Sequence, residues 1–583
     1  MQGVRCPLGL KRSVAAARTG CRRYGFRPKA RNSSGFRHSK TIFDRRHAKV
    51  VFDRPRNFGP FFDRAKGFST HMRLRRARIP VFQERTIPAD ARPAGWAALA
   101  QALGLRGPVR RPGCVSQQHI RGSHRDEGGW TVFDTRYWPG GTFADHLTFA
   151  LRHEDLDLLI LKRAFEAVPQ SEIAAIVRAA PTGVTARRAW YLYENLTGRT
   201  LDVDDAPSAA AIDLLDTEVY FTGKPRLSKR HRVRDNLLGT GRFCQVIRRT
   251  PALTEFLALD LAAKARETVG RTGAHLVARA ASFMLLADSR ASFEIEGERP
   301  PRNRLERWGR AVLQAGKNRL TLDEIIRLQR ILIEDTRFVH AGLRPDGVFL
   351  GERDHYGDPL PEFIGARPDN LDDLMRGLVE ANDRMRDDGV DPVLKAAATA
   401  FGFVYIHPFQ DGNGRMHRCL IHHVLAERKF TPPGMVFPVS SVMLDRIYDY
   451  RATLQAHSGP LMPFIEWRPT PERNVEVLND TADLYRYYDC TEETEYLYAS
   501  VRRTVEQDLP REIDYLRRHD EAIRRIMDAV EMPDRVAENL VMYIRQNHGT
   551  LSKKRRQGEF KKLRAAEVTL IEGIVNDVFA SEA

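Results

Sequence analysis

His407-Pro408-Phe409-Gln410-Asp411-Gly412-Asn413-Gly414-Arg415-Met416-His417-Arg418 lies between two runs of helical periodicity. The first, 391–407, repeats Ala397, Phe401, Val404 and Ile406, and the second, 414–428, repeats Leu420, Ile421, Val424 and Leu425, at the spacings of three and four that make one apolar face. Pro408 stops the first helix, because the residue before a proline is pushed out of the α region. Gly412 and Gly414 then allow a tight turn and a bare backbone before the second helix starts. Such a loop presents the unsatisfied amides and the positive dipole end of a helix to an anion. Arg415 and Arg418, three residues apart in the first turn, reach the same side, where forked guanidiniums match phosphate oxygens. Asp411 supplies a hard carboxylate suited to Mg²⁺ on a polyphosphate, and His407, at a helix end, is placed to act as a general base toward a hydroxyl. Taken singly, these pieces are a helix cap, a surface turn and a solvated face; together, within twelve residues, they describe one site. It is not a Walker phosphate loop, since no Lys-Ser or Lys-Thr follows the glycines.

Outward from this stretch, helical periodicity continues at 251–268, 273–287, 302–315, 322–334 and 369–386, and resumes after Pro471 through Tyr485, Leu497 and Ile523 to 536–543 and 566–579. The fold expected is mainly α. Residues 72–250 read as an N-terminal α+β domain, with a Gly-rich extended piece around Gly128 to Gly140, a helix over 156–167 and a turn over 202–207. Residues 251–470 read as the catalytic domain and 471–583 as a C-terminal helical domain, in which Lys553-Lys554-Arg555-Arg556 forms a solvated basic turn.

The 583 residues carry 93 Lys and Arg against 75 Asp and Glu, a net charge of +18. A surplus of that size invites a nucleic-acid or membrane partner. Residues 1–71, however, hold 18 of the basic and 3 of the acidic residues, so this leader accounts for +15 and the rest is nearly neutral. The leader, with its Phe-Asp-Arg triplets at Phe43, Phe52 and Phe62, reads as a disordered segment outside the fold; a nucleic-acid arm, a transit peptide and sequence upstream of a start at Met72 are the other readings. Six scattered cysteines with no C-x-x-C pair point to neither a disulfide framework nor a zinc ribbon. No apolar run reaches the length of a membrane span; the best, Phe283 to Ala287, is closed by Asp288. A cytoplasmic chain is expected, with neither membrane nor nucleic acid as its partner.

The string from His407 to Arg418 resembles the Fic (Fido-domain) family signature, H-P-F-x-D-G-N-G-R-x-x-R, at every defined position, and the likeness extends over roughly 250–470. It implies a helical Fic core with a small β-hairpin flap, and a protein adenylyltransferase (AMPylation enzyme) that moves AMP from ATP, with Mg²⁺, onto a Ser, Thr or Tyr hydroxyl of an unidentified target protein or of the chain itself. By that resemblance His407 is the base, Asp411 the Mg²⁺ ligand, and Asn413 with the Gly412 and Gly414 amides a phosphate cradle. Arg415 would meet the β-phosphate, Arg418 the γ-phosphate, and Phe409 would pack into the core. Gly414 argues against the phosphotransferase branch, in which a Lys replaces this glycine.

Ser292-Phe293-Glu294-Ile295-Glu296-Gly297 ends a helical pattern, with Gly297 as its cap and Pro300-Pro301 beyond. Glu296 therefore sits near the negative end of a helix, disfavoured by about a few tenths of a kcal/mol, and needs a cationic partner. The segment resembles the family's inhibitory motif, S-x-x-x-E-G, on an inhibitory helix near 280–297 that precedes the core. The resemblance pairs Glu296 with Arg418 and implies autoinhibition, Ser292 and Gly297 completing the motif. Gly347 to Gly351, followed by Tyr356, Pro359 and Pro361, resembles the flap that docks an extended target segment. His417, His422 and His423 offer no zinc-binding i,i+4 pair and read as surface or packing residues, and Cys419 reads as a small buried side chain. Removal of AMP from a modified protein would use the same residues, and a nucleic-acid-binding regulator is the alternative of a different class.

Overall fold

The computed structural model describes residues 81–333, 337 and 339–580; the leader and Met72 lie outside the described residues. The protein is mainly helical, with several small sheets. Near the N-terminal end, strands Ala91–Pro93, Gly113–Ser116, Trp130–Phe133 and His124–Glu127 lie side by side in that order, the middle pair parallel. Helices Gly95–Leu103, Phe143–His153, Leu158–Ala167, Gln170–Ala179 and Val184–Thr197 accompany them. Asp157 starts the third of these helices by accepting the Ile160 amide at 2.9 Å, as a helix N-cap carboxylate does. Further along, Cys244–Arg248 pairs antiparallel with Tyr220–Phe221 and parallel with Tyr487–Asp489, so one small sheet joins segments more than two hundred residues apart. A continuous apolar core runs from Phe82 to Leu516, and a second cluster gathers Ala522 to Phe579. The basic run there forms a short exposed helix, Lys553–Gln557, between Asp534–Gln546 and Ala565–Phe579.

At the centre is a helix, Pro392–Ile406, in which every residue from Val393 onward is buried. A helix apolar all round belongs in a core, and its alanines and Gly402 let neighbours approach closely; a Cβ at Gly402 would meet Phe243 and Leu378. It packs against the motif helix, Asn413–Glu427. Beside the motif helix runs an upstream helix, Ala274–Ile295, in which the runs expected over 273–287 and near 280–297 are continuous. Asp288, which closes the apolar run in the sequence, is fully buried within this helix, accepting from the Ser440 amide at 2.8 Å and meeting His422 Nε2 at 3.0 Å. The single helix expected over 251–268 breaks at Asp260, whose positive φ of 42° ends one helix and whose side chain caps the next, Leu261–Gly270. The flap is an antiparallel hairpin, Phe349–Arg353 with Pro359–Ile364, irregular between Leu350 and Gly351. Gly351, at φ 147°, sits where a Cβ would strike the Leu360 carbonyl.

Among the described residues no helix is long and apolar enough to cross a membrane. Cys114, Cys244, Cys419 and Cys490 are free and buried.

Candidate active site

The central helix ends at His407, which leaves the α region as Pro408 demands, into the left-handed region (φ 55°, ψ 59°) rather than the extended one. That conformation costs a non-glycine residue energy and persists only where its surroundings fix it. Three contacts do so. The His407 amide donates to the Phe403 carbonyl at 3.0 Å, its Nδ1 lies 3.1 Å from the Val404 carbonyl, and its own carbonyl accepts from Arg344 Nε at 2.8 Å. A carbonyl can only accept, so Nδ1 carries the hydrogen and Nε2 keeps its lone pair. Burial, reinforced by the Arg344 charge and opposed by the Val404 bond and Asp411, lowers the imidazole to about 4. At neutral pH it is therefore an uncharged base.

Arg344 carries no pattern that marks it in the sequence. It is buried, and its guanidinium also donates to the Asp346 carbonyl at 2.5 Å and to that of Ala366. Its amide bonds the Pro408 carbonyl at 3.0 Å. One side chain thereby ties both ends of the flap hairpin to the catalytic loop. Phe363 of the flap stands 5.6 Å from the His407 ring.

The loop itself is held by Asn413. Its Oδ1 accepts the Phe409 amide at 2.9 Å and its Nδ2 donates to the Phe409 carbonyl at 2.7 Å, so the side chain braces the turn where a phosphate contact was expected of it. Phe409 is buried against Phe403. Gly412, at φ 86°, begins the motif helix. Asp411 accepts the Gly412 amide at 2.6 Å and pairs with Arg415 at 3.1 Å. Arg415 also lies over the Phe293 ring, 5.3 Å away, with Glu298 at 3.9 Å.

Arg418 is 1% exposed. Its Nε donates to Ser292 Oγ at 2.8 Å, and its Nη2 to the Ser292 carbonyl at 2.7 Å and Glu296 Oε1 at 2.8 Å. Burial would weaken its charge, but the Glu296 carboxylate more than offsets this and holds the guanidinium above its ordinary value. Glu296 is the C-cap that follows the upstream helix, and Gly297 turns left-handed after it at φ 72°. A Cβ at Gly414 would fall on the Glu296 carboxylate, so this glycine admits the glutamate.

His417, His422 and His423 are all buried in packing, none at the surface; His417 bonds the Ala400 carbonyl at 2.8 Å and is lowered to about 3 by burial. Burial pushes the Cys419 thiol up to about 12, which leaves it unreactive. Asp411 is one hard carboxylate beside a helix N-terminus, a donor set that fits Mg²⁺ completed by phosphate oxygens. Among the described residues no three His, Cys, Asp or Glu side chains converge on a metal position.

Residues 319–425 match the Fic/DOC family. The chain is 26% identical over 161 residues to protein adenylyltransferase fic-1 of Caenorhabditis elegans, covering 27% of this chain and 28% of that protein. It is 29% identical over 169 residues to protein adenylyltransferase Fic of Nematostella vectensis, covering 28% and 36%. The match thus spans about a third of these relatives' length. A solved Fic family protein from Desulfovibrio desulfuricans aligns with 57% of this chain and 88% of its own at 19% identity and a TM-score of 0.31. With its signature loop intact from His407 to Arg418, the segment 319–425 of this chain is a Fic/DOC-family domain.

Proposed function

We propose that this site transfers the AMP part of ATP to a Ser, Thr or Tyr hydroxyl of a protein, and that residues 292–298 restrain it. The observation that carries the reading is the convergence, at the start of one helix, of a neutral His407 with a free Nε2, the Asp411 carboxylate and two buried guanidiniums. His407 Nε2 takes the proton of the incoming hydroxyl. The hydroxyl oxygen bonds to the α-phosphorus as the bond to the β-phosphate oxygen breaks, and pyrophosphate leaves. Amides of the first helical turn and Arg415 bear the charge that develops on the leaving group. Asn413 contributes by its side-chain grip on Phe409, which keeps those amides aimed. Mg²⁺, held by Asp411, neutralises phosphate charge when bound.

In the structure described, both guanidiniums are already engaged by carboxylates, Arg415 by Asp411 and Arg418 by Glu296. A γ-phosphate seated on Arg418 has to displace Glu296. Breaking a buried charged pair from one side costs about 3–5 kcal/mol, so the unmodified chain should be slow. The test compares protein labelling from ATP carrying its label at the α- or the γ-phosphate. Labelling from α alone is the result expected. Labelling from γ alone would mean phosphate transfer and would contradict the reading.

A further inference from the structure

Away from the motif loop, five segments of the chain enclose a cavity of about 600 Å³, a size typical of small-molecule sites. They come from residues 83–111, 155–159, 246–248, 456–464 and 487–492, so the N-terminal region supplies much of the wall. Trp96 and Tyr488 give it flat aromatic surface. Two of its four arginines are neutralised: Arg248 pairs with Asp489 at 2.7 Å and Arg111 with Asp155 at 3.3 Å. The other two are not. Arg85 donates to the Val109 carbonyl at 2.9 Å and Arg110 meets His457 Nδ1, with no carboxylate at ion-pair distance from either among the described residues. Asp157 and Glu493 feel the Arg110 charge, yet burial pushes them up to about 6 and about 7.

His457 adds a donor. A guanidinium can only donate, so Nδ1 accepts and the ring hydrogen is on Nε2. That Nε2 is buried without a hydrogen-bond partner, an expensive state for a polar group. Arg85 and Arg110, which no carboxylate pairs directly, and the aromatic walls together fit an anion attached to a planar ring, in a lining that also carries Glu84, Asp155, Asp157, Asp489 and Glu492.

The placement connects this cavity to the catalytic centre. The His457 ring stacks on Tyr405 at 3.9 Å, two residues before His407. His457 and Tyr450 share one helix, Ile447–Ser458, and the buried Tyr450 hydroxyl lies within reach of the Arg418 charge. We propose that the cavity binds a small aromatic carboxylate or phosphate ester anchored on Arg110, and that the helix Ile447–Ser458 transmits its occupancy to Arg418. The first half stands without the transferase reading; the second rests on it.

The test uses the full chain with phenyl phosphate, benzoate and inorganic phosphate as probes, titrated by calorimetry. Saturable one-to-one binding of phenyl phosphate or benzoate is expected, at least tenfold tighter than inorganic phosphate, and the tighter of the two identifies the anion. Arg110→Gln should weaken it at least tenfold, and Ala456→Trp, which fills the cavity from an exposed position, should abolish it, while ATP should not compete. Binding of neither ring compound, or equal binding by both variants and the unmodified chain, would overturn the site. Saturating probe should change the rate of AMP transfer by the unmodified chain at least threefold and leave Glu296→Gly unaffected. Tight binding with no change in that rate would overturn the transmission. Absence of transfer by Glu296→Gly while binding persists would strike the transferase reading alone.

Discussion

His407 and His457 are both buried at the C-terminal ends of helices, and both are held uncharged by burial. They differ in what Nδ1 meets. At His407 it is a carbonyl, so the hydrogen stays on Nδ1 and Nε2 is a base. At His457 it is the Arg110 guanidinium, so the hydrogen moves to Nε2 and the same ring becomes a donor. Two regions of one molecule thus draw opposite chemistry from one residue type. The choice is made by the partner of the far nitrogen, not by the residue or its burial.

The sharpest way to break this comparison is to remove the base. In the Glu296→Gly background, His407→Ala should lower the single-turnover rate of AMP transfer by about a hundredfold to ten-thousandfold, the range for a lost general base. A variant that kept its rate would show that Nε2 is idle. A smaller effect is expected at the residue that positions the ring. Arg344→Met leaves the buried carbonyls of Ala366 and His407 without their donor, and each orphaned buried group costs about 1–3 kcal/mol. Urea unfolding should therefore report a loss of about 2 kcal/mol or more, and kcat should fall while KM for ATP changes little. Unchanged stability would mean that the flap and the catalytic loop hold together without the clamp.

The smallest effect concerns pH. His407 is lowered in the folded protein to about 4, whereas in the unfolded chain it titrates near 6.5. Below pH 6.5 the unfolded state takes up a proton that the folded state refuses, so the stability this neutral ring contributes is lost progressively as pH falls from about 6.5 toward 4. Melting temperatures across that window should show a shallower decline for His407→Asn than for the unmodified chain. Parallel declines would place the ring in a more polar setting than the structure gives it.

The two regions also differ in how much of them could be read from sequence. The groups around His407 lie within twelve consecutive residues, so helix periodicity, one proline and two glycines suffice to bring them together. Glu296 was legible for a related reason: a carboxylate at the negative end of a helix advertises a missing cation. Arg344 was not, because its partners are backbone carbonyls at Asp346, Ala366 and His407, and carbonyls leave no trace in a pattern of charges. Asn413 could be assigned to the loop but not to its target, since an amide serves a phosphate or a backbone equally well. Asp288 closes an apolar run in sequence, and its buried network with Ser440 and His422 shows only in space. The helical core was clear from spacing, whereas the break at Asp260 depended on one residue adopting a positive φ. The cavity around His457 draws on five distant segments, and only the packing of residues 81–250 against the rest assembles it.

The proposal joins restraint by Glu296 on Arg418 to a transferase whose base is His407. It is tested most directly by incorporation of label from α-labelled ATP with Mg²⁺ into protein, comparing the unmodified chain, Glu296→Gly, and Glu296→Gly with His407→Ala. Faint labelling by the first is expected, labelling at least tenfold stronger by the second, and none above background by the third. Equal labelling by the first two would show that Glu296 restrains nothing, and labelling that survived in the third would remove His407 from the chemistry.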